Sequence, residues 1–80
     1  MEITKYASKS CVKCKVLDGI LKQAGVEYST LYSEDNAELF ESLGVTTLPT
    51  LIFKNGDKET RLEGIVSPAM IKDTVASIEV

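Results

Sequence analysis

Cys11 and Cys14 are the only cysteines among the 80 residues, and Val12 and Lys13 separate them. Two thiols at this spacing can close a local staple, hold a soft metal ion, or cycle between dithiol and disulfide. As a staple the pair is weak: chain entropy gives a ~4-residue loop about 2 kcal/mol, against ~4.7 kcal/mol for a ~100-residue loop. Zinc usually takes four nitrogen or sulfur ligands, and the chain has no histidine, so only a site shared between two chains would complete it. Two thiolates suffice for Cu(I). A reversible couple needs cysteines that can join without large backbone movement, and a CxxC beside a βαβ pattern is a recognised setting for one.

The elements around the pair bear on that choice. Residues 2–7 (EITKYA) read as a strand. From Val12 to Ala24 a 3.6-residue spacing places Cys14, Leu17, Leu21 and Ala24 on one helix face, and Gly25 is the expected stop. VEYSTLY (26–32) is rich in β-branched and aromatic residues and reads as a strand. SEDNAELFESLG is then a second helix, capped by Asp35 with Glu38 at the reciprocal position, turning Leu39, Phe40 and Leu43 inward and ending at Gly44. TLIFK (50–54) and KETRLE (58–63) flank Asn55-Gly56, a strong signal for a tight antiparallel hairpin. Ser67 as N-cap and Pro68 in the first turn open a last helix with Ile71, Val75 and Ile78 inward.

The order is βαβαββα. A right-handed crossover makes the first two strands parallel, and the hairpin adds antiparallel strands. The expectation is an α/β fold, a four-stranded mixed sheet covered by three helices, with the cysteines where the first strand ends and the first helix begins. A thiolate there faces unpaired backbone N–H groups and the positive end of the helix dipole, which favours ionisation of the more exposed Cys11. Lys9 and Lys13 would add to that field. Cys14, one turn into the helix on its apolar face, suits the resolution of a mixed disulfide. Small βαββαβ domains that carry Cu(I) place two adjacent strands after their first helix, whereas here a helix intervenes. They also resemble one another in a methionine two residues before the first cysteine, where this chain has Lys9.

Length and composition set the outer bounds. A chain of 80 residues suits one domain spanning 1–80. Hydrophobic content of 44% and charged content of 26% are ordinary for a globular protein. No apolar run approaches ~18 residues, so no membrane span is expected. A net charge of −3 argues against nucleic acid or an anionic membrane as partner. Met1–Lys5 runs straight into a strand pattern without a secretory h-region, pointing to a cytoplasmic protein, where a lone CxxC is more often catalytic or metal-binding than structural. Lys5, Lys9, Lys13 and Lys15 crowd the cysteine segment, as a solvated turn or a functional patch. Polar strand edges and short length suit a monomer.

LGVTTLPTLIFKNG followed by EGIVSPAMIKDTV resembles the thioredoxin family over most of residues 36–77. The resemblance implies that Pro49 is cis and lies beside the CxxC, with the Leu48 backbone turned outward to pair with an extended substrate segment. It implies that Gly64 lets a substrate backbone approach the sulfurs. The first half resembles glutaredoxins and small glutaredoxin-like thioredoxins, which begin one strand before the CxxC. It has Val12-Lys13 where larger thioredoxins carry Gly-Pro, and Lys5 where their buried aspartate falls. EGIVSP lacks the Gly-Gly pair that helps glutaredoxins hold glutathione.

The expected function is therefore reduction of protein disulfides by a Cys11–Cys14 couple. Lys9, Val12, Lys13, Leu48, Pro49 and Gly64 would form the substrate surface, and no cofactor is needed beyond the redox-active disulfide. The reductant would be a flavoprotein of the thioredoxin-reductase type or glutathione. The alternatives are a glutathione-dependent glutaredoxin and a non-enzymatic metal-binding or redox adaptor. The acceptor of the Cys14 proton is open between a nearby lysine and water.

Overall fold

In the computed structural model, which describes residues 2–64 and 66–79 with the side chain of Glu79 excepted, the elements follow the expected order. They are β1 (Glu2–Ala7), α1 (Val12–Ala24), β2 (Ser29–Tyr32), α2 (Ala37–Ser42), β3 (Thr50–Asn55), β4 (Lys58–Glu63) and α3 (Pro68–Glu79). Ile65 of the EGIVSP segment lies outside the described residues, as do Met1 and Val80.

The sheet runs β2-β1-β3-β4, with β1 parallel to β2 and antiparallel to β3, and β3 antiparallel to β4. Period-2 alternation divides the core. Ile3, Leu51 and Phe53 join Leu17, Leu21 and Ala24 of α1 and Ile71 and Ile78 of α3 on one face. Tyr6 and Ile52 meet Phe40 of α2 on the other, where the Tyr6 and Phe40 rings cross edge to face at 5.2 Å. Phe53, Leu17, Leu21, Leu51 and Ile71 are fully buried; each removes about 1.5–3 kcal/mol worth of apolar surface from water.

Four boundaries and contacts depart from the sequence reading. Helix α1 ends with Gly25 at φ 73°, the Gly25 N–H donating to the Lys22 carbonyl and the Val26 N–H to that of Leu21. Val26 is thus spent on a Schellman closure, and β2 begins at Ser29, not at 26. Asp35 does not cap α2. The N-cap is Asn36, whose side chain donates to the Tyr32 carbonyl and so offers the helix nothing, while the Asp35 carboxylate pairs with Lys9 at 3.5 Å. Leu39 is exposed, because the short α2 turns Phe40 toward the sheet and Leu43 follows just past its end. In the hairpin Asn55 is the last paired residue, opposite Lys58, so Gly56-Asp57 makes the turn. Gly56 supplies the positive φ of 62° at the first turn position. At α3 the expected cap is present, Ser67 Oγ accepting from the Met70 N–H at 3.3 Å.

Candidate active site

The site lies where β1 hands over to α1. Ala7 ends the strand fully buried, Ser8–Ser10 cross the sheet end, and Cys11 takes an extended conformation (φ −85°, ψ 107°) as the N-cap of α1. Its sulfur does what a serine oxygen does at such a position: it accepts the Cys14 backbone N–H, at 3.2 Å. No acidic residue stands in the first turn of α1 to offset the exposed N–H groups. Cys11 is half-buried and Cys14 only 3% exposed. Their Cα atoms are 5.3 Å apart and the two are joined as a disulfide.

The loop before Cys11 is tied across the sheet end. The Lys9 backbone N–H donates to both carboxylate oxygens of Glu34, at 3.2 and 3.0 Å. Glu34's own backbone bond is the largest influence drawing its carboxyl below the ordinary range, with the Lys9 N–H and the Ser33 hydroxyl adding to it.

Of the two alternatives for the lysine cluster, Lys5 does not fit the solvated turn. It is 2% exposed, because it shares the inward face of β1 with Ile3 and Ala7. Its ammonium donates to the Asp18 carboxylate and, at 3.5 Å, to the Cys14 carbonyl oxygen, and lies 5.7 Å from the centre of the Tyr28 ring. The Tyr28 hydroxyl also donates to Asp18, at 2.7 Å. Burial pushes the Asp18 carboxyl up, but the hydrogen bonds from Lys5 and Tyr28 and the charges of Lys5 and Lys22 outweigh it and hold the group below its ordinary value. Burial, then the bond to Asp18 and its negative charge, push Tyr28 up to about 12. A cavity of about 300 Å³ joins this network to the disulfide, lined by Lys5, Asp18, Cys11 and Cys14 together with Lys9, Lys15 and Tyr32.

Asp18 and Tyr28 were not singled out from the sequence. The signal was there: Asp18 follows Cys14 by four residues and so shares its helix face, and Lys5 alternates with Ile3 and Ala7.

The residues expected to bind substrate fall into three places. Lys9 borders the cavity, its ammonium paired with Asp35. Val12 and Lys13 face solvent on the first turn of α1, Val12 with 74% of its surface exposed. Leu48, Pro49 and Gly64 come from the other side: the Leu48–Pro49 peptide is cis, Pro49 is buried, and its carbonyl accepts the Gly64 N–H at 2.8 Å. Leu48 is half-buried against the α2-side core. Since Tyr6 pairs with Thr50, one further step of the antiparallel register sets Pro49 beside Ala7, at the sheet end that carries the cysteines. Gly64 has φ 78°, a conformation that side chains other than glycine resist.

A thioredoxin family profile matches residues 2–77. Among solved structures, desulfothioredoxin from Desulfovibrio vulgaris Hildenborough is 30% identical, with a TM-score of 0.81 over 96% of this chain and 80% of its own. A chloroplastic thioredoxin z is 26% identical, with a TM-score of 0.82 over 96% and 76%. Thioredoxin 1 of Thermosipho africanus TCF52B, at 21% identity and a TM-score of 0.76 over 96% and 92%, agrees in fold. The search of curated proteins finds no match. With the profile covering nearly the whole chain and the cysteine pair set between β1 and α1, the protein belongs to the thioredoxin family.

Proposed function

We propose that the chain is a thiol–disulfide oxidoreductase that reduces disulfides in proteins. The observation that carries this reading is the Cys11 sulfur at the α1 N-terminus, hydrogen-bonded by the Cys14 N–H and joined to a buried partner cysteine. In the dithiol form the Cys11 thiolate attacks one sulfur of a substrate disulfide. A Cys11–substrate bond forms, the substrate S–S bond breaks, and the other substrate sulfur leaves as a thiol with a proton from water. Cys14, having given its proton to solvent, then attacks the Cys11 sulfur; the Cys11–Cys14 bond forms, the Cys11–substrate bond breaks, and the second substrate sulfur leaves as a thiol with a proton from water. The protein is left as the disulfide, and the substrate has gained two electrons and two protons.

The surface around this step is read from the same sheet end. Val12 and Lys13 project beside the pair, and the half-buried Leu48 offers backbone groups to an extended segment, as in β-augmentation. Gly64, bonded to Pro49, lies along the same approach. The oxidised Cys11–Cys14 pair must then be reduced by a two-electron donor, for which a flavoprotein of the thioredoxin-reductase type is the first choice and glutathione the second.

The test is a redox titration in glutathione buffers of set potential, read by thiol labelling and mass spectrometry. A reversible two-electron transition near about −270 mV supports a thioredoxin-type reductant, and one near roughly −200 mV moves the reading to glutaredoxin-like chemistry. Failure of the Cys11–Cys14 disulfide to form at any potential would overturn it in favour of an adaptor or metal site.

A further inference from the structure

The geometry points to Lys5 as the built-in counter-charge for Cys14: its buried ammonium, oriented by Asp18, stabilises the Cys14 thiolate and so makes the couple a stronger oxidant and a faster resolver. The inference rests on the thiol–disulfide reading above and adds to it a residue that acts on the second cysteine rather than the first.

The helix terminus serves Cys11, whose sulfur takes the Cys14 N–H. Cys14 has no such help from the helix and is 3% exposed, and burial in apolar surroundings keeps a thiol protonated. Yet Cys14 must become a thiolate to resolve a mixed disulfide. The charge that offsets its burial is the Lys5 ammonium, which reaches the backbone carbonyl of that same cysteine and lines the same cavity. Asp18 holds it there from one turn along α1, in turn fixed by Tyr28.

The effect is confined to one redox state. In the disulfide form the ammonium has Asp18 as its anion, and Asp18, 38% exposed, is partly screened by solvent. In the dithiol form a second anion is generated deeper in the protein, at Cys14. A charge that favours only the reduced form raises the tendency of the disulfide to be reduced, which is the basis of an oxidising potential. The proton released from Cys14 leaves through the cavity to water. The other titratable groups around Lys5 are Lys15, Asp18 and Lys22 of α1, Tyr28 and Tyr32 at β2, and Lys9 of the loop. Among the described residues, the third helix packs Ile71, Val75 and Ile78 against this core.

Two measurements decide it. In the Cys11→Ser variant, where Cys14 is the sole thiol, the thiolate fraction is read by absorbance near 240 nm at pH 7.5. An ordinary thiol would be roughly one-tenth ionised there; the inference expects more than half, and one-tenth or less overturns it. This needs neither turnover nor a Lys5 variant, so it separates failure of this inference from failure of the proposed activity. In the otherwise native chain, Lys5→Met should shift the dithiol–disulfide equilibrium against glutathione about tenfold toward the disulfide, a potential ~30 mV more negative. It should also slow decay of the mixed disulfide by a similar factor, with Lys5→Arg restoring both. Unchanged potential and decay in a folded Lys5→Met protein would overturn the assignment.

Discussion

The backbone N–H of Cys14 points at the sulfur of Cys11 across 3.2 Å, so the two cysteines are joined by a hydrogen bond as well as by their covalent link. When the covalent link is reduced, that N–H remains at the N-terminus of α1 and favours negative charge on Cys11. The division of labour follows from which sulfur is the acceptor. Cys11→Ser should abolish reduction of a disulfide-bonded model protein, and Cys14→Ser should accumulate a Cys11–substrate mixed disulfide visible by mass spectrometry. Capture through Cys14 in the Cys11→Ser protein would reverse the roles.

Tyr28 provides a pH-dependent readout of the buried network. Its phenol is held near 12, above the ordinary value of 10.0, so the stability it contributes is complete below about pH 10 and is lost as pH rises through the folded value. Burial also pushes the Tyr6 phenol up, so phenolate absorbance at 295 nm should show late titration from both residues, and Tyr28→Phe should remove the component near 12. Asp18 works in the opposite direction: its folded value is depressed, so its contribution is present above the unfolded carboxyl range and disappears as pH falls through the folded value.

Gly64 separates conformation from crowding. A Cβ built there meets nothing within 4 Å, so Gly64→Ala costs only what its φ of 78° imposes, about 1–2 kcal/mol. Urea unfolding should return that loss. If a substrate backbone passes over this residue, KM for a protein disulfide should rise at least tenfold with a small change in kcat, whereas a KM unchanged in a folded variant would remove Gly64 from the substrate surface.

Phe53 anchors the face on which α1 and α3 lie, and no part of it is exposed. Phe53→Ala should cost about 3–5 kcal/mol, read as a lower denaturant midpoint at an unchanged slope. That is a large share of the 5–15 kcal/mol typical of a folded domain. Ser67→Ala, which deletes one cap bond, should cost only about 1 kcal/mol.

The order of elements was legible because each segment carried a local signal: Asn55-Gly56 between TLIFK and KETRLE, 3.6-residue spacing through Cys14, Leu17 and Leu21, and glycine stops at 25 and 44. What escaped involved side chains serving two masters. Val26 has strand character, but its N–H closes α1. Asp35 is a good cap in isolation, yet Lys9 takes its carboxylate. For Lys5 the sequence leaves open a solvated turn or a functional patch, and the structure buries it. A lysine amid other lysines allows either, while its place between Ile3 and Ala7 on one strand face required it to go inward, and only folding brings Asp18 and Tyr28 to meet it. The cysteine pair itself was legible, its chemistry being bound to spacing and to the strand–helix junction.

Strand β1 is hydrogen-bonded on both sides, to β2 and to β3, and only Ser8–Ser10 separate its end from Cys11. Its amides have no edge from which to fray, so their exchange with deuterium should require opening of the whole sheet and be among the slowest in the chain. The reacting sulfurs are therefore mounted on the part of the molecule that breathes least, and oxidation or reduction can be felt in the loop and the first turn of α1 without loosening the framework that holds them.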